Sequence, residues 1–231
     1  MTQTPLTTVQ ALRISDAFAR LPDSSLEALA GSSELQRCAT GQPLVFSNTL
    51  PEQVFLVVEG EARLIGDHHG RPYTIERLGP GSFIGLASLL RAEPCETVSA
   101  ASPMVLACLR DAVVLKLYQS DAGFKDWCDS HLWAAELGAV VEVLTKGSAR
   151  ARQPEELRRL VHHLRDEASL VGATKNLWAN LGEDQCVLVG SSNLPDLPIG
   201  TILQPDHELP NPRPPLPARL ISLLRSDVET I

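Results

Sequence analysis

The feature that most constrains this chain is a glycine-spaced turn, Gly79-Pro80-Gly81-Ser82-Phe83-Ile84-Gly85, set between apolar stretches of period two. Glycine takes positive φ without steric cost, so such a turn brings the flanking strands back on themselves. Before it, Val54-Phe55-Leu56-Val57-Val58 forms an apolar run that turns at Glu59-Gly60. The next residues, Glu61-Ala62-Arg63-Leu64, alternate charged and apolar as a half-buried strand does. Gly66-Asp67-His68-His69-Gly70 signals a hairpin, and Tyr73 to Leu78 reads as its return strand. After the turn comes the short apolar stretch Leu86 to Leu90, and Met104 to Leu109 closes the set. Upstream, Leu35 to Cys38 and Pro43 to Phe46 read as strands, and Ser47–Pro51, where Asn48 tolerates left-handed geometry, makes the turn toward Val54. Residues from about 15 to 110 are therefore expected to form an antiparallel roll of about eight strands, with Phe55, Val57, Leu64, Ile75 and Leu106 inside.

At 231 residues the chain has room for one full core and a second, smaller unit. Aromatic residues make up 4%, so the core must come mainly from Leu, Val, Ile and Ala. A net charge of −8 argues against a surface that holds nucleic-acid phosphates. The five cysteines, at 38, 95, 108, 128 and 186, include no Cys-x-x-Cys pair. They read as reduced thiols of a cytoplasmic protein, without a zinc site. Met1 to Gln10 lacks the basic and apolar regions of a signal peptide. No apolar run reaches the roughly eighteen residues of a membrane span.

Helices flank the roll. Leu6, Val9, Leu12, Ile14, Phe18 and Leu21 repeat at an imperfect helical period, and Pro22-Asp23-Ser24-Ser25 starts a second helix that Gly31 ends. Asp111 reads as the N-cap of a helix through Tyr118. Asp121 starts a longer one with Trp133, Leu137, Val140, Val141 and Leu144 on one face, ended by Lys146-Gly147-Ser148. Gln153 to Val171 reads as a further helix, on which the adjacent His162 and His163 project about 100° apart and cannot form an i,i+4 metal pair. Asn176–Ala179 and Gln185–Val189 read as two strands. Leu194 to Pro217 holds eight prolines in twenty-four residues and reads as an extended strap, followed by a short helix from Ala218 to Leu224.

The run Val54–Gly60 taken with Gly79–Gly85, preceded by Ala17–Pro22, Leu26–Leu29 and Gly41-Gln42-Pro43-Leu44, resembles cyclic-nucleotide-binding domains. These are the β-rolls of catabolite activator proteins and of regulated kinases and channels. The resemblance implies a mainly β fold with α: a double-stranded β-helix, or jelly-roll-like β-roll, with flanking helices and a small C-terminal appendage. It divides the chain into a roll with N-terminal helices (1–120), a helical region like the family's C-helix (121–171) and a strand-containing appendage with a proline-rich linker (172–231). In the family the helix after the roll reports ligand occupancy; a helix that merely covers the roll fits the residues from Asp121 equally well.

The family binds a cyclic phosphate beside the glycine turn, with a Phe-Gly-Glu pattern and, further on, Arg-Ser/Thr-Ala. Its Glu accepts from the ribose hydroxyl, and its Arg, with backbone N–H groups, neutralises the phosphate. Carried over, the turn is Phe83-Ile84-Gly85, the Glu position is Leu86, and the Arg position is Glu96, followed by Thr97 and Val98. The acceptor has become apolar and the cation an anion. Unit charges about 4 Å apart at an effective dielectric near 20 interact by roughly 4 kcal/mol, and here the sign is reversed. Phe83, Ile84, Gly85, Leu86, Glu96, Thr97 and Val98 are thus a degenerate ligand pocket. Arg91, five residues before Glu96, has two places open to it: swung into the pocket or, as expected, at the surface and paired with Glu93 or Glu96.

No Gly-x-x-x-x-Gly-Lys-Ser/Thr loop, Gly-x-Ser-x-Gly elbow or His-Glu-x-x-His motif occurs. Cys186 and His207 lack an activating context, His68-His69 sits at a hairpin tip rather than in a metal triad, and no basic recognition helix follows Val171. The chain reads as no enzyme, with no cofactor and no metal. It is a regulatory or interaction module of a larger assembly. Similar domains precede the peptidase of cyanobacterial peptide-exporting ABC transporters, and Leu157–Asn193 is similar to the segment after the roll in those proteins. The partners implied are other protein domains, such an exporter among them, at the cytoplasmic face of the membrane. A homodimer through the helix after Asp121 is a further expectation. The alternative function is a genuine small-ligand or cyclic-nucleotide sensor with atypical contacts.

Overall fold

The computed structural model describes residues 7–68, 70–146, 152–173, 177–205, 207 and 209–231. Its eight N-terminal strands are β1 (Glu34–Cys38), β2 (Pro43–Val45), β3 (Gln53–Glu59), β4 (Ala62–His68), β5 (Arg71–Leu78), β6 (Phe83–Ile84), β7 (Val98–Ala100) and β8 (Met104–Arg110). They form two four-stranded sheets, ordered β1-β8-β3-β6 and β2-β7-β4-β5. The roll expected from the sequence is present. Strand β1 pairs with β8, β8 with β3, β3 with β6, β2 with β7 and β7 with β4, each antiparallel. Val57, Leu64, Ile75 and Leu106 are buried as expected, whereas Phe55 is half-buried. Phe55 shares its face of β3 with the buried Val57 and lies opposite the half-buried Cys108, while Val54, Leu56 and Val58 fill the other face.

Glycine is required at two turns of the roll. Gly60 joins β3 to β4 at φ +84, where a Cβ would lie 2.3 Å from the Pro103 carbonyl oxygen. In the β4–β5 hairpin the turn is shorter than the sequence signal. Gly66, Asp67 and His68 belong to β4, and His69 lies outside the described residues. Gly70, at φ +76, donates its N–H to Asp67 Oδ1 at 2.8 Å. Gly66 serves instead for close packing, because a Cβ there would stand 2.7 Å from the Tyr73 ring.

Two short helices precede the roll: α1 (Thr8–Leu12), capped by Thr7 and Gln10, and α2 (Asp23–Gly31). The first stops at Leu12, and turns carry the chain on to Leu21. α3 (Leu86–Arg91) follows Gly85 directly, and α4 (Asp111–Ser120) follows β8, with Asp111 as its first residue rather than its cap. The long helix expected from Asp121 is two: α5 (Ala122–Ser130) and α6 (Ala134–Thr145). The break at 131–133 is stabilised by Glu136, whose Oε2 accepts the Trp133 N–H at 3.1 Å and so starts a new helix. Leu137, Val140 and Val141 of the expected stripe are buried; Trp133 and Leu144 are half-buried. Gly147 and Ser148, expected to end this helix, lie outside the described residues.

The C-terminal part departs further from expectation. α7 (Pro154–Glu167) ends four residues early, and Ser169–Val171 is β9. Trp178–Asn180 is a 3-10 turn, not a strand, and Asn176 lies outside the described residues. β10 (Gln185–Val189) is as expected. Within the proline-rich stretch Ile202–Leu203 forms β11, and the expected terminal helix is instead β12 (Leu220–Leu224), followed by α8 (Arg225–Thr230). Together these strands make an antiparallel sheet ordered β11-β10-β12-β9. β12 is a strand because Leu220, Ile221, Ser222 and Leu223 are consecutive buried residues, which an interior strand covered on both faces accommodates. Its core is Leu177, Val187, Val189, Leu194, Leu203, Ala218 and Leu220.

The chain divides into two compact units interleaved in sequence. One holds the described residues up to Leu64, Arg77–Leu86 and Glu96–Asp129; the other holds Ile65–Glu76, Ala87–Cys95 and the described residues from Ser130. Among the described residues no helix is long and apolar enough to cross a membrane.

Candidate functional site

Gly85 ends β6 at φ +87, a conformation that L side chains rarely adopt. The space is also closed to a side chain, since a Cβ would lie 3.0 Å from the Gln53 carbonyl oxygen and 3.2 Å from Pro51 Cγ. This backbone turns the buried Gly85 N–H toward Glu96, whose Oε1 accepts it at 2.8 Å. Glu96 is 3% exposed, so a carboxylate is held inside the roll against a backbone amide. Such charge-assisted bonds to N–H groups are how proteins hold phosphate and carboxylate oxygens.

The remaining sequence-predicted residues divide by role. Leu86, Ile84 and Val98 are 0%, 0% and 1% exposed and make the surroundings apolar. Leu86, at the position of the family's ribose acceptor, offers no polar atom. Phe83 is buried, but its ring belongs to an aromatic cluster: it meets Phe18 edge-on at 5.3 Å and Trp127 at 5.6 Å, and Phe18 stacks on Phe124. Thr97 is half-buried, and its hydroxyl is engaged by Ser47, accepting the Ser47 N–H at 3.1 Å and lying 3.0 Å from Ser47 Oγ. Ser47 and Pro51, which fix the β2–β3 loop to this site, were not legible as site residues. Their stretch reads as an ordinary polar turn.

Arg91 corrects its expectation. It is 1% exposed rather than at the surface, and its Nε–H donates to the Gly190 carbonyl at 2.6 Å. Among the described residues, no ion pair joins it to Glu93 or Glu96. Residue spacing places Arg91 near the two acids, but α3 carries its side chain toward the turn after β10.

Cys186 and Cys108 are placed against nucleophilic chemistry. Burial raises the pKa of Cys186, with Asp227 adding to the rise and Arg225 opposing it, and burial pushes Cys108 up to about 11. A thiol so shifted stays protonated near neutrality. His207 Nδ1 accepts the Gln204 N–H at 2.8 Å, within its own turn. His162 Nε2 meets the Ile75 carbonyl at 2.9 Å and His163 Nε2 meets Asp227 at 3.2 Å, so the adjacent histidines do diverge. Among the described residues no disulfide is present, and no group of three or more His, Cys, Asp or Glu stands close enough to hold a metal.

Solved structures similar to this chain include a cyclic nucleotide-binding protein of Geobacter metallireducens, 22% identical with a TM-score of 0.43, covering 50% of this chain and 84% of that one. The catabolite activator protein of Thermus thermophilus is 21% identical with a TM-score of 0.44, covering 58% of this chain and 60% of its own. The regulatory domain of Toxoplasma gondii PKA, solved with cAMP, is 16% identical with a TM-score of 0.47, covering 97% of this chain and 90% of its own. No curated protein matches the sequence. Residues 35–121, which hold β1 to β8, α4 and the bond between Gly85 and Glu96, match the cyclic nucleotide-binding domain family.

Proposed function

We propose that this chain is a non-catalytic regulatory or interaction module whose nucleotide cassette is filled from within. The observation that carries this reading is the 2.8 Å bond from the Gly85 N–H to the buried Glu96 carboxylate. A cyclic phosphate seated at that amide would have to share it with, or displace, an anion. Two unit charges about 4 Å apart at an effective dielectric near 20 repel by roughly 4 kcal/mol. Leu86 supplies no acceptor for a ribose hydroxyl, so nothing at that position offsets the repulsion. The module's output is then another protein domain. The peptide-exporting ABC transporter implied by the similarity of Leu157–Asn193 is the partner we propose, with the chain at the cytoplasmic face of the membrane.

Titration calorimetry tests the filled cassette. No heat of binding is expected for cyclic AMP or cyclic GMP up to about millimolar ligand, a ΔG° weaker than roughly −4 kcal/mol. The double variant Leu86→Glu with Glu96→Arg restores an acceptor and a cation, and is expected to gain affinity. Micromolar binding by the unaltered chain would overturn the proposal.

A further inference from the structure

The sheet β1-β8-β3-β6 sets its first strand beside its last, then its second, then its third. The sheet β9-β12-β10-β11 does the same. The registers agree as well. Phe55 lies opposite Ile84 and Cys108, and Val187 lies opposite Leu203 and Ser222. One residue on, Leu56 opposes Phe83 and Ala107, and Leu188 opposes Ile202 and Ile221. At the outer strand Cys108 faces Glu34 as Ser222 faces Ser169, and Leu106 faces Gln36 as Leu220 faces Val171. A slip of one residue in any of these pairings would turn that strand's side chains to the opposite face and end the match.

The correspondence continues beyond the ladders. In the first sheet the Gly81 N–H donates to the Val57 carbonyl at 2.9 Å, Val57 to Ser82 at 2.9 Å and Ser82 to Gly79 at 3.1 Å. In the C-terminal sheet Gly200 donates to Val189 at 2.8 Å, Val189 to Thr201 at 3.0 Å and Thr201 to Pro198 at 3.1 Å. Gly81 and Gly200 hold positive φ, +90 and +85. At the far end of the same strands the Asp111 N–H donates to the Glu52 carbonyl at 3.0 Å, and the Arg225 N–H to the Asp184 carbonyl at 2.8 Å. Each donor is the first residue of the helix that follows its sheet's last strand, α4 and α8. Few side chains are shared: Gln53, Leu56 and Val57 recur as Gln185, Leu188 and Val189, and Gly81 as Gly200. Apolar side chains exchange freely where the pattern and volume of a core are kept, so the backbone outlasts them.

We infer that the C-terminal sheet is a second, shortened copy of the roll, so that the chain carries two rolls in tandem and the second has no nucleotide site. In the first roll β4 and β5 stand between β3 and β6; residues 190–201 join β10 to β11 with neither helix nor strand. α3 and β7, which flank Glu96, have no counterpart among the described residues of 204–219. The second copy thus lacks the elements that carry the cassette side chains. It keeps the cassette turn. Gln204 follows β11 as Gly85 follows β6, and its N–H is also met from within, by His207 Nδ1 at 2.8 Å. A roll kept without its cassette keeps a fold and not a ligand. The second copy is a structural repeat, whatever fills the first cassette.

Residue-resolved NMR of the whole chain tests it. Couplings through hydrogen bonds are expected from the Gly200 N–H to the Val189 carbonyl and from Arg225 to Asp184, matching those from Gly81 to Val57 and from Asp111 to Glu52. Cross-strand contacts that set Val187 opposite residues other than Leu203 and Ser222 overturn the repeat, because a slip in one sheet alone breaks the correspondence. His207→Ala is expected to speed exchange of the Gln204 amide roughly threefold. An unchanged rate there overturns its placement as the second cassette amide. Cyclic AMP and inorganic phosphate, each added to about millimolar, are expected to leave the Gln204 and His207 signals in place. A shift at those two residues overturns the absence of a second site. A shift confined to residues 83–97 counts against the filled first cassette and leaves the repeat standing, so the two failures are told apart.

Discussion

Glu96 and Glu136 are both buried carboxylates, 3% and 0% exposed, but their partners differ in kind. Glu136 faces the Arg219 guanidinium, which donates to it through both Nε and Nη2. The same guanidinium donates to the His131 carbonyl at 2.7 Å and lies 5.1 Å from the centre of the Trp133 ring. Charge is balanced on the spot, and the arrangement joins the break between α5 and α6 to the start of β12. Glu96 instead accepts from the backbone amide of Gly85, whose conformation L side chains rarely adopt. An acid set against a buried guanidinium is a pin. An acid set against an amide in a glycine turn is the arrangement that we propose fills the nucleotide cassette.

The difference can be broken first at the pin. Arg219→Met leaves Glu136 buried without its guanidinium and is expected to destabilise the fold by about 3–5 kcal/mol in urea denaturation. Adding Glu136→Leu to it should recover part of that loss, because the unpaired charge goes with the acid. A cost under about 1 kcal/mol for Arg219→Met would mean that the pin is no more structural than a surface pair. Glu96→Ala is expected to cost less, about 1–3 kcal/mol, the penalty of one buried donor left unmet. If the order of the two variants is reversed, the contrast between the two acids fails.

The smallest effect is one of pH and sharpens the picture at the pin. Partial burial lowers the pKa of His131 below the ordinary imidazole value; Arg219 and Arg165 lower it too, and Glu136 and Glu76 oppose them. The folded state therefore favours the neutral ring. Its contribution is complete above the unfolded value of about 6.5 and is lost as pH falls through it toward the folded value. His131 keeps an exposed side, which limits the size of the change. Comparing urea midpoints at about pH 7.5 and about pH 5.5, the parent should lose more stability on acidification than His131→Gln does. Equal losses would remove His131 from the network around Glu136.

The roll was legible because its signals are local. Glycines at 60, 70 and 85 mark positive-φ turns, and the apolar residues of β3 and β8 repeat with the period of a strand. Leu86 and Glu96 were legible as departures from a pattern, but the bond from Gly85 to Glu96 spans eleven residues and depends on where β7 begins. The C-terminal sheet was largely hidden. Leu220–Leu224 is too short and too uniformly apolar for periodicity to tell strand from helix; what decides is pairing with Gln185–Val189 on one side and Ser169–Val171 on the other. Proline suppressed the expectation of a strand at Ile202–Leu203, although those two residues carry none themselves and pair with Val187 and Leu188. Arg91 was misplaced for the same reason, since its partner Gly190 lies ninety-nine residues away.

The interleaving of the two units sets the order in which the chain can become complete as it is synthesised. Residues 65–76 and 87–95 belong to the unit that otherwise begins at Ser130. Ile75 is buried, and its carbonyl meets His162, while Glu76 pairs with Arg165. A nascent chain that has emerged only as far as α5 therefore carries segments whose lasting neighbours are still in the ribosome.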